Sequence, residues 1–291
     1  MSEQEKNKVE ASTLYLVGTP IGNLSDISER ALKVLRECDF IAAEDTRNTL
    51  RLLSYFGIKK ELVSYHEHNR KMRGEEICAR LLGGESCALV TDAGMPAISD
   101  PGEDLVRLCA EKGIRVSVIP GPCAAISALA LSAISSTRFV FEGFLSAVKG
   151  ERAKRLSEIA GERRTMIFYE APHKLRTTLA DLYRTFGGRR ISLCRELTKL
   201  NEEVIRTTLQ DAIAYYEEHE PRGEYVLVLE GDEERTGGDF VSPESQELLS
   251  LSPEEHLAYY EAQGFPRMDA MKRAAKDRGM SKSEFYKLVN T

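Results

Sequence analysis

The sequence predicts an α/β protein in two successive blocks, closed by a small helical module. Three observations carry that expectation. From residue 13 onward, short β-branched and aliphatic runs recur with about one helix of chain between them, the rhythm of a largely parallel sheet. Near Phe139 the intervening helices become fewer and some connections shorten, which suits a mixed sheet. Beyond a polar stretch at 232–241 the pattern turns helical.

The first block spans 13–136. It opens with Leu14–Val17 as a strand, followed by a helix bearing Ala31, Leu32, Val34 and Leu35, then by Phe40–Ala43 as the second strand. A helix with Leu50, Leu52, Leu53 and Phe56 stops at Gly57, a residue suited to the left-handed turn just past a helix. Leu62–Tyr65, Ala88–Thr91 and Val116–Ile119 continue the strand series. In the second block, 137–231, the strands are Phe139–Phe141, Met166–Tyr169, Ile191–Cys194, Val204–Thr207 and Tyr225–Leu229. Residues 1–12 read as an extended or disordered N-terminus, 232–241 (with D-E-E-R-T-G-G-D) as a linker, and 242–291 as the helical module. In that module Ser252-Pro253-Glu254-Glu255 is a capping box with proline at the first helical position, and Ser281-x-x-Glu284 repeats the signal.

Composition bounds the function. With 42% hydrophobic and 30% charged residues the chain reads as a soluble globular protein. The polar N-terminus is neither a signal nor a transit peptide, and the longest apolar stretch, Cys123–Ile134, is too short to span a bilayer; a cytoplasmic protein with no membrane partner is expected. Six scattered cysteines without a C-x-x-C pair argue for reduced, buried thiols rather than zinc or disulfides. The net charge of −6 is the wrong sign for coating nucleic acid, but local clusters are what meet phosphate. Such clusters occur around Arg70 and Arg73, from Lys149 to Arg155, at Arg163 and Arg164, at Arg189 and Arg190, and from Lys272 to Arg278. Solvated helix faces would look the same.

Three loops carry the chemistry. Gly18-Thr19-Pro20-Ile21-Gly22-Asn23 follows the first strand, where a dinucleotide fingerprint would sit. Pro20 removes a backbone N–H that a diphosphate cradle needs, so another kind of ligand is expected there. The second loop, Thr91 to Gly102, offers small residues for close approach and two acceptors, Asp92 and Asp100. Asp100 precedes Pro101 and suits an N-cap as well as a ligand contact; Asp92 has no such local role at a strand end. The third, Pro120-Gly121-Pro122-Cys123-Ala124-Ala125, also follows a strand. Together they suggest one crevice at the carboxyl ends of the strands.

G-T-P-I-G-N-L-S-D-I, A-E-D-T-R at 43–47, H-E-H-N at 66–69, T-D-A-G-M-P-A-I-S-D-P-G, P-G-P-C-A, F-Y-E-A-P-H-K at 168–174 and R-E-L-T-K at 195–199 together resemble the ribosomal RNA small-subunit 2′-O-methyltransferase I family of the tetrapyrrole methylases. The resemblance runs continuously from 13 to about 231, with Met95, Ala97 and Glu67 where Thr, Leu and Asp are usual. It implies a two-lobed class III methyltransferase fold and a homodimer. The implied methyl donor is S-adenosylmethionine, and the implied target is a cytidine 2′-hydroxyl in the decoding centre of 16S rRNA, within the small ribosomal subunit. It further implies cofactor contacts from Thr19, Pro20, Ile21 and Gly22, from Asp92, Ala93, Gly94 and Met95, and from Cys123, Ala124 and Ala125, with Asp100 a further candidate. Tyr169 and Leu197 would contribute from the second lobe.

A ribose hydroxyl is a weak acid, so a positioned base or neighbouring charge is expected. Candidates are Glu44 and Asp45, His66 and His68, Glu170 or His173, and Glu196 with Lys199. Asp45 also suits a helix cap, and His66-x-His68 lacks a third metal ligand nearby, so no metal is expected. Arg47, Arg195 and Lys199 suit phosphate or carboxylate pairing. Glu44, Arg47, Glu196 and Lys199 form the preferred RNA-facing set. A methylase of a small macrocycle and a non-catalytic RNA-binding factor are the alternatives.

Overall fold

The computed structural model describes residues 8–232, 248, 251–278 and 280–289. In the first block the aliphatic runs form β1 (Thr13–Val17), β2 (Phe40–Ala43), β3 (Glu61–Ser64), β4 (Cys87–Val90) and β5 (Arg115–Ile119). All pair in parallel in the order β3-β2-β4-β1-β5. Every residue of β2 and β4 is buried, as a parallel sheet covered on both faces requires. Helices α1 (Glu29–Glu37), α2 (Thr46–Tyr55), α3 (Arg70–Leu82), α4 (Gly102–Glu111) and α5 (Ala124–Leu131) connect the strands or follow the last. One core layer gathers Leu14, Phe40, Ile77 and Leu105; the other gathers Val17, Leu35, Ile41 and Leu53.

The order of this sheet decides where a ligand fits. From β1 the chain moves outward to β2 and β3, returns to β4 beside β1, and then crosses to β5 on the far side of β1. The direction of winding therefore reverses at β4 and β1, and the loops beyond their carboxyl ends splay apart there.

The second block gives β6 (Phe139–Phe144), β7 (Thr165–Glu170), β8 (Arg190–Arg195), β9 (Glu203–Thr208) and β10 (Tyr225–Leu229), in the order β6-β7-β10-β8-β9. β6 and β7 are parallel while β7 and β10 are antiparallel, the mixed sheet expected from the shorter connections. Its helices are α6 (Lys149–Ile159), α7 (Leu175–Phe186) and α8 (Leu209–Glu218). By contact the chain divides into two units, one comprising Met1–Ala133 with Leu193–Ile205, the other Ile134–Ser192 with Arg206–Thr291.

The C-terminal helices α9 (Pro253–Ala262), α10 (Arg267–Asp277) and α11 (Lys282–Val289) close around Leu257, Met271, Ala274 and Phe285. Both capping boxes form: the Ser252 hydroxyl accepts from the Glu255 N–H at 3.2 Å and Glu255 accepts from the Ser252 N–H at 2.8 Å, with the same exchange between Ser281 and Glu284. Residues 1–7 of the expected N-terminal segment and 233–241 of the expected linker lie outside the described residues. Among the described residues no helix is long and apolar enough to cross a membrane. Five cysteines are buried, and burial pushes the Cys38 thiol up to about 11 and Cys109 up to about 12, so both stay protonated at neutral pH.

Candidate active site

The three small-residue loops of the first unit converge at the winding reversal. The Thr19 N–H donates to the Gly94 carbonyl at 2.9 Å and the Gly94 N–H donates back at 3.1 Å, an antiparallel bridge joining the loops beyond β1 and β4. The Thr19 hydroxyl is buried and reaches the carbonyls of Thr91 and Gly94 at 3.4 Å each. Gly18 lies against Gly121 so closely that an added Cβ would stand 2.6 Å from the Gly121 Cα and 2.7 Å from the Met95 Sδ. Gly94, at φ +83°, packs against Ile21 and the Pro122 carbonyl. Cys123 is the N-cap of α5, so Ala124 and Ala125 open that helix directly behind the third loop.

Beside this junction is a group of carboxylates. Glu44, just past β2, accepts from the Thr91 hydroxyl at 2.7 Å. Asp92 accepts at one oxygen from the Asp45 N–H and at the other from the Asn48 amide, each at 3.2 Å. Asp45 caps α2, accepting from the Arg47 N–H at 2.8 Å, and also holds the Arg47 guanidinium at 3.2 Å. The two neighbouring aspartates are pushed in opposite directions. Hydrogen bonds from Arg47 pull Asp45 below the usual carboxylate range. Partial burial in the loop raises Asp92, although much of that residue still reaches solvent; the Asn48 bond opposes the rise and the Glu44 charge adds to it.

Asp100 serves its own loop. Its carboxylate accepts from the N–H groups of Ala97 at 3.0 Å, Ile98 at 3.3 Å and Gly102 at 2.7 Å, holding Ala97 and Ser99 at φ 67° and 63°. The N-cap position of α4 falls on Pro101 rather than on Asp100.

The segment after β8 joins the same unit. Lys199 Nζ pairs with Glu196 at 2.9 Å, and Glu196 and Thr198 take left-handed φ values of 50° and 66°. A Cβ on Gly22 would collide with the Lys199 side chain and stand 3.0 Å from the carbonyl of buried Leu197, so the loop carrying Pro20 and Ile21 runs directly beneath Leu197–Lys199. Of the preferred RNA-facing set, Glu44 is thus tied to the Asp92 loop and Glu196 with Lys199 to the Gly22 loop, while Arg47 is exposed and drawn back onto Asp45. Tyr169 belongs to the other unit, where it packs edge-on against Phe141 and Phe144.

The remaining candidates have local duties. Buried Glu170 accepts from the Thr178 hydroxyl and from the Ala171 N–H at 2.8 Å. His173 sits exposed in a short 3-10 turn, Pro172–Lys174. His66 approaches the Asn69 amide through Nε2 at 3.2 Å, which leaves Nδ1 buried without a partner among the described residues, and its ring centroid lies 5.9 Å from that of His68. Among the described residues no group of three His, Cys, Asp or Glu side chains could hold a metal. Several basic clusters prove locally neutralised: Arg152 pairs with Asp181, Arg155 with Glu142, Arg189 with Asp232, Arg190 with Glu230, Arg70 with Asp104 and Arg73 with Glu76. Asn48, which holds Asp92, escaped the sequence reading, and Thr91, which holds Glu44, was read only as the start of its loop; Asn48 lies three residues after the cap, on the helix face that turns toward Asp92.

A model of the Tetrapyrrole (Corrin/Porphyrin) Methylases matches residues 13–213. The chain is 46% identical to the ribosomal RNA small subunit methyltransferase I of Halalkalibacterium halodurans, covering 96% of this chain and 94% of that one. It is 43% identical to the Bacillus subtilis protein of the same name, with the same coverage of 96% and 94%. Among solved structures, uroporphyrin-III-C-methyltransferase from Thermus thermophilus shares the fold, with a TM-score of 0.54 at 20% identity over 75% of this chain and 94% of that one. A family match over most of the chain and near-full-length relatives agree with the sheet order and the loop junction: the chain belongs to the tetrapyrrole methylase family, in the branch named ribosomal RNA small subunit methyltransferase I.

Proposed function

We propose that this protein transfers a methyl group from S-adenosylmethionine to the ribose 2′-hydroxyl of a cytidine in the decoding centre of small-subunit ribosomal RNA. The observation that carries the reading is the near-full-length similarity to relatives whose name specifies small-subunit ribosomal RNA. The first unit suits the cofactor in three respects. Loops of small residues converge at the winding reversal, where open α/β sheets bind ligands, Asp92 offers a carboxylate there for hydroxyl or ammonium groups, and Glu44 and Asp45 add negative potential next to a cationic donor. When bound, the donor supplies an electrophilic methyl on a sulfonium. Thr19, Ile21, Gly94 and Cys123 to Ala125 would then shape the pocket wall, with Tyr169 and Leu197 as further contacts.

The protein's own task is positioning. Holding the hydroxyl oxygen in line behind the methyl contributes several kcal/mol, up to roughly 7–11 in favourable systems. Lys199, fixed by Glu196 above the Gly22 loop, is the cation suited to stabilising negative charge that develops on that oxygen. Glu44 and Arg47 face the RNA, Arg47 exchanging Asp45 for a phosphate. A homodimer working in the cytoplasm on the small subunit completes the reading. Methylation of unmodified small subunits by the purified protein, mapped by mass spectrometry of RNA fragments, tests it. A methyl on the ribose of one decoding-centre cytidine is expected; a methyl on a base, or none, rejects it.

A further inference from the structure

A depression of about 480 Å³ in the second unit is lined by Ser135, Thr137, Arg138, Arg163 and Arg164. It lies at the start of β6 and β7, whereas Tyr169 lies near the far end of β7, about 13 Å further along the strand at roughly 3.3 Å per residue. Three arginines and two hydroxyl-bearing residues line one space. Arg164 is paired with Glu162 at 2.7 Å, and Glu162 is pulled down to about 2 by that arginine, so its charge is already spent. The side chains of Arg138 and Arg163 have no carboxylate within ion-pair distance among the described residues, in contrast to the paired arginines elsewhere in this unit. The nearby Asp232 is held by Arg189 at 3.3 Å.

The segments that line the depression are tied together by contacts between residues distant in sequence. The Thr165 hydroxyl donates to the Ser135 carbonyl at 2.6 Å and the Thr165 N–H donates to the Arg138 carbonyl at 3.1 Å. Gly231 lies so close to the backbone of Arg163 and Arg164 that any side chain there would collide with it. These contacts set the two arginine-bearing segments side by side, so that Arg138 and Arg163, neither in an ion pair among the described residues, both line the depression. Guanidinium forks with hydroxyl donors match the oxygens of a phosphate better than a carboxylate-rich or apolar ligand.

We propose that this depression binds a phosphate group, and that its source is the backbone of the RNA substrate, held at a second point away from the methylated nucleotide. This rests on the reading of the protein as an RNA methyltransferase. Arg138→Ala/Arg163→Ala, which breaks no ion pair, tests it against Arg138→Lys/Arg163→Lys. For the alanine variant the KM for small subunits should rise about tenfold, and the log–log salt dependence of RNA affinity should flatten by about 2, one for each phosphate-facing cation removed. S-adenosylmethionine affinity and thermal midpoint should stay at wild-type values, and the lysine variant should restore the salt slope. An alanine variant with wild-type KM and salt slope overturns the proposal.

If the wild-type protein methylates no RNA, the functional reading fails on its own. The phosphate assignment is then decided by titrating inorganic phosphate while following arginine side-chain NMR resonances. Shifts confined to Arg138, Arg163 and Arg164 support a site for a free phosphate compound and remove RNA as its source; no shift overturns the site.

Discussion

Replacing Gly18 by alanine probes the junction of the three loops directly. The new methyl would stand 2.6 Å from the Gly121 Cα and 2.7 Å from the Met95 Sδ. Carbon atoms rest at about 3.5–4.0 Å, so the loops beyond β1 and β5 must part by roughly 1 Å. Met95 can swing away; the Gly121 backbone cannot, because it carries the chain from β5 into α5. Overpacking of this kind costs about 1–3 kcal/mol. The displacement also falls on the bridge between Thr19 and Gly94, next to the proposed cofactor contacts. Urea denaturation should show the loss of stability, and isothermal titration should show S-adenosylmethionine binding weakened at least tenfold, about 1.4 kcal/mol. A variant with wild-type stability and wild-type cofactor affinity would refute both the close approach and its role.

Other perturbations separate the remaining assignments. Asp92→Ala should weaken S-adenosylmethionine binding by about 1.5–3 kcal/mol, the range for a hydrogen bond to a charged group, and unchanged affinity in titration calorimetry would move the cofactor elsewhere. Arg152→Ala should cost about 2–4 kcal/mol by thermal or chemical denaturation, because Asp181 and Thr178 lose a buried partner, and a neutral effect would contradict the burial. Gly150→Ala, in α6 with open space around the new methyl, should raise stability by up to about 1 kcal/mol in the same assay. His256 is buried between Asp277, Tyr260 and Arg278, and burial with the Arg278 charge holds its pKa below the ordinary histidine value. The unfolded chain therefore binds the proton more readily. The contribution of His256 to stability is present above about pH 6.5 and declines as the pH falls below that value. Protection factors of the α10 amides, corrected for the pH dependence of intrinsic exchange, should fall at pH 5.5 relative to 7.5, and His256→Gln should abolish that difference.

What the sequence disclosed follows from how local each signal is. β2 and β10 fall on the residues read from their aliphatic runs, since every position is buried and the run itself marks the strand. β3 starts one residue earlier than expected because its first residue, Glu61, is an exposed polar residue at the sheet edge. The capping boxes were legible for the same reason, each being a four-residue signal satisfied within itself. Long-range facts were not legible. No spacing announces that Asn48 reaches Asp92 or that Gly22 lies under Lys199, since those pairs are made by the sheet order. Charge was the least informative signal: Arg152 and Arg155 read as a basic cluster until the fold supplies their partners from α7 and β6.

One cysteine stands apart from the others. Cys123 alone among the six is not buried, and it occupies the N-cap position of α5 beside the loop junction. A thiol-reactive fluorophore or spin label offered to the folded protein should therefore attach there first, at a position next to the Gly18–Gly121 contact. The native chain carries its own reporter for motion of these loops, with no substitution needed to install one.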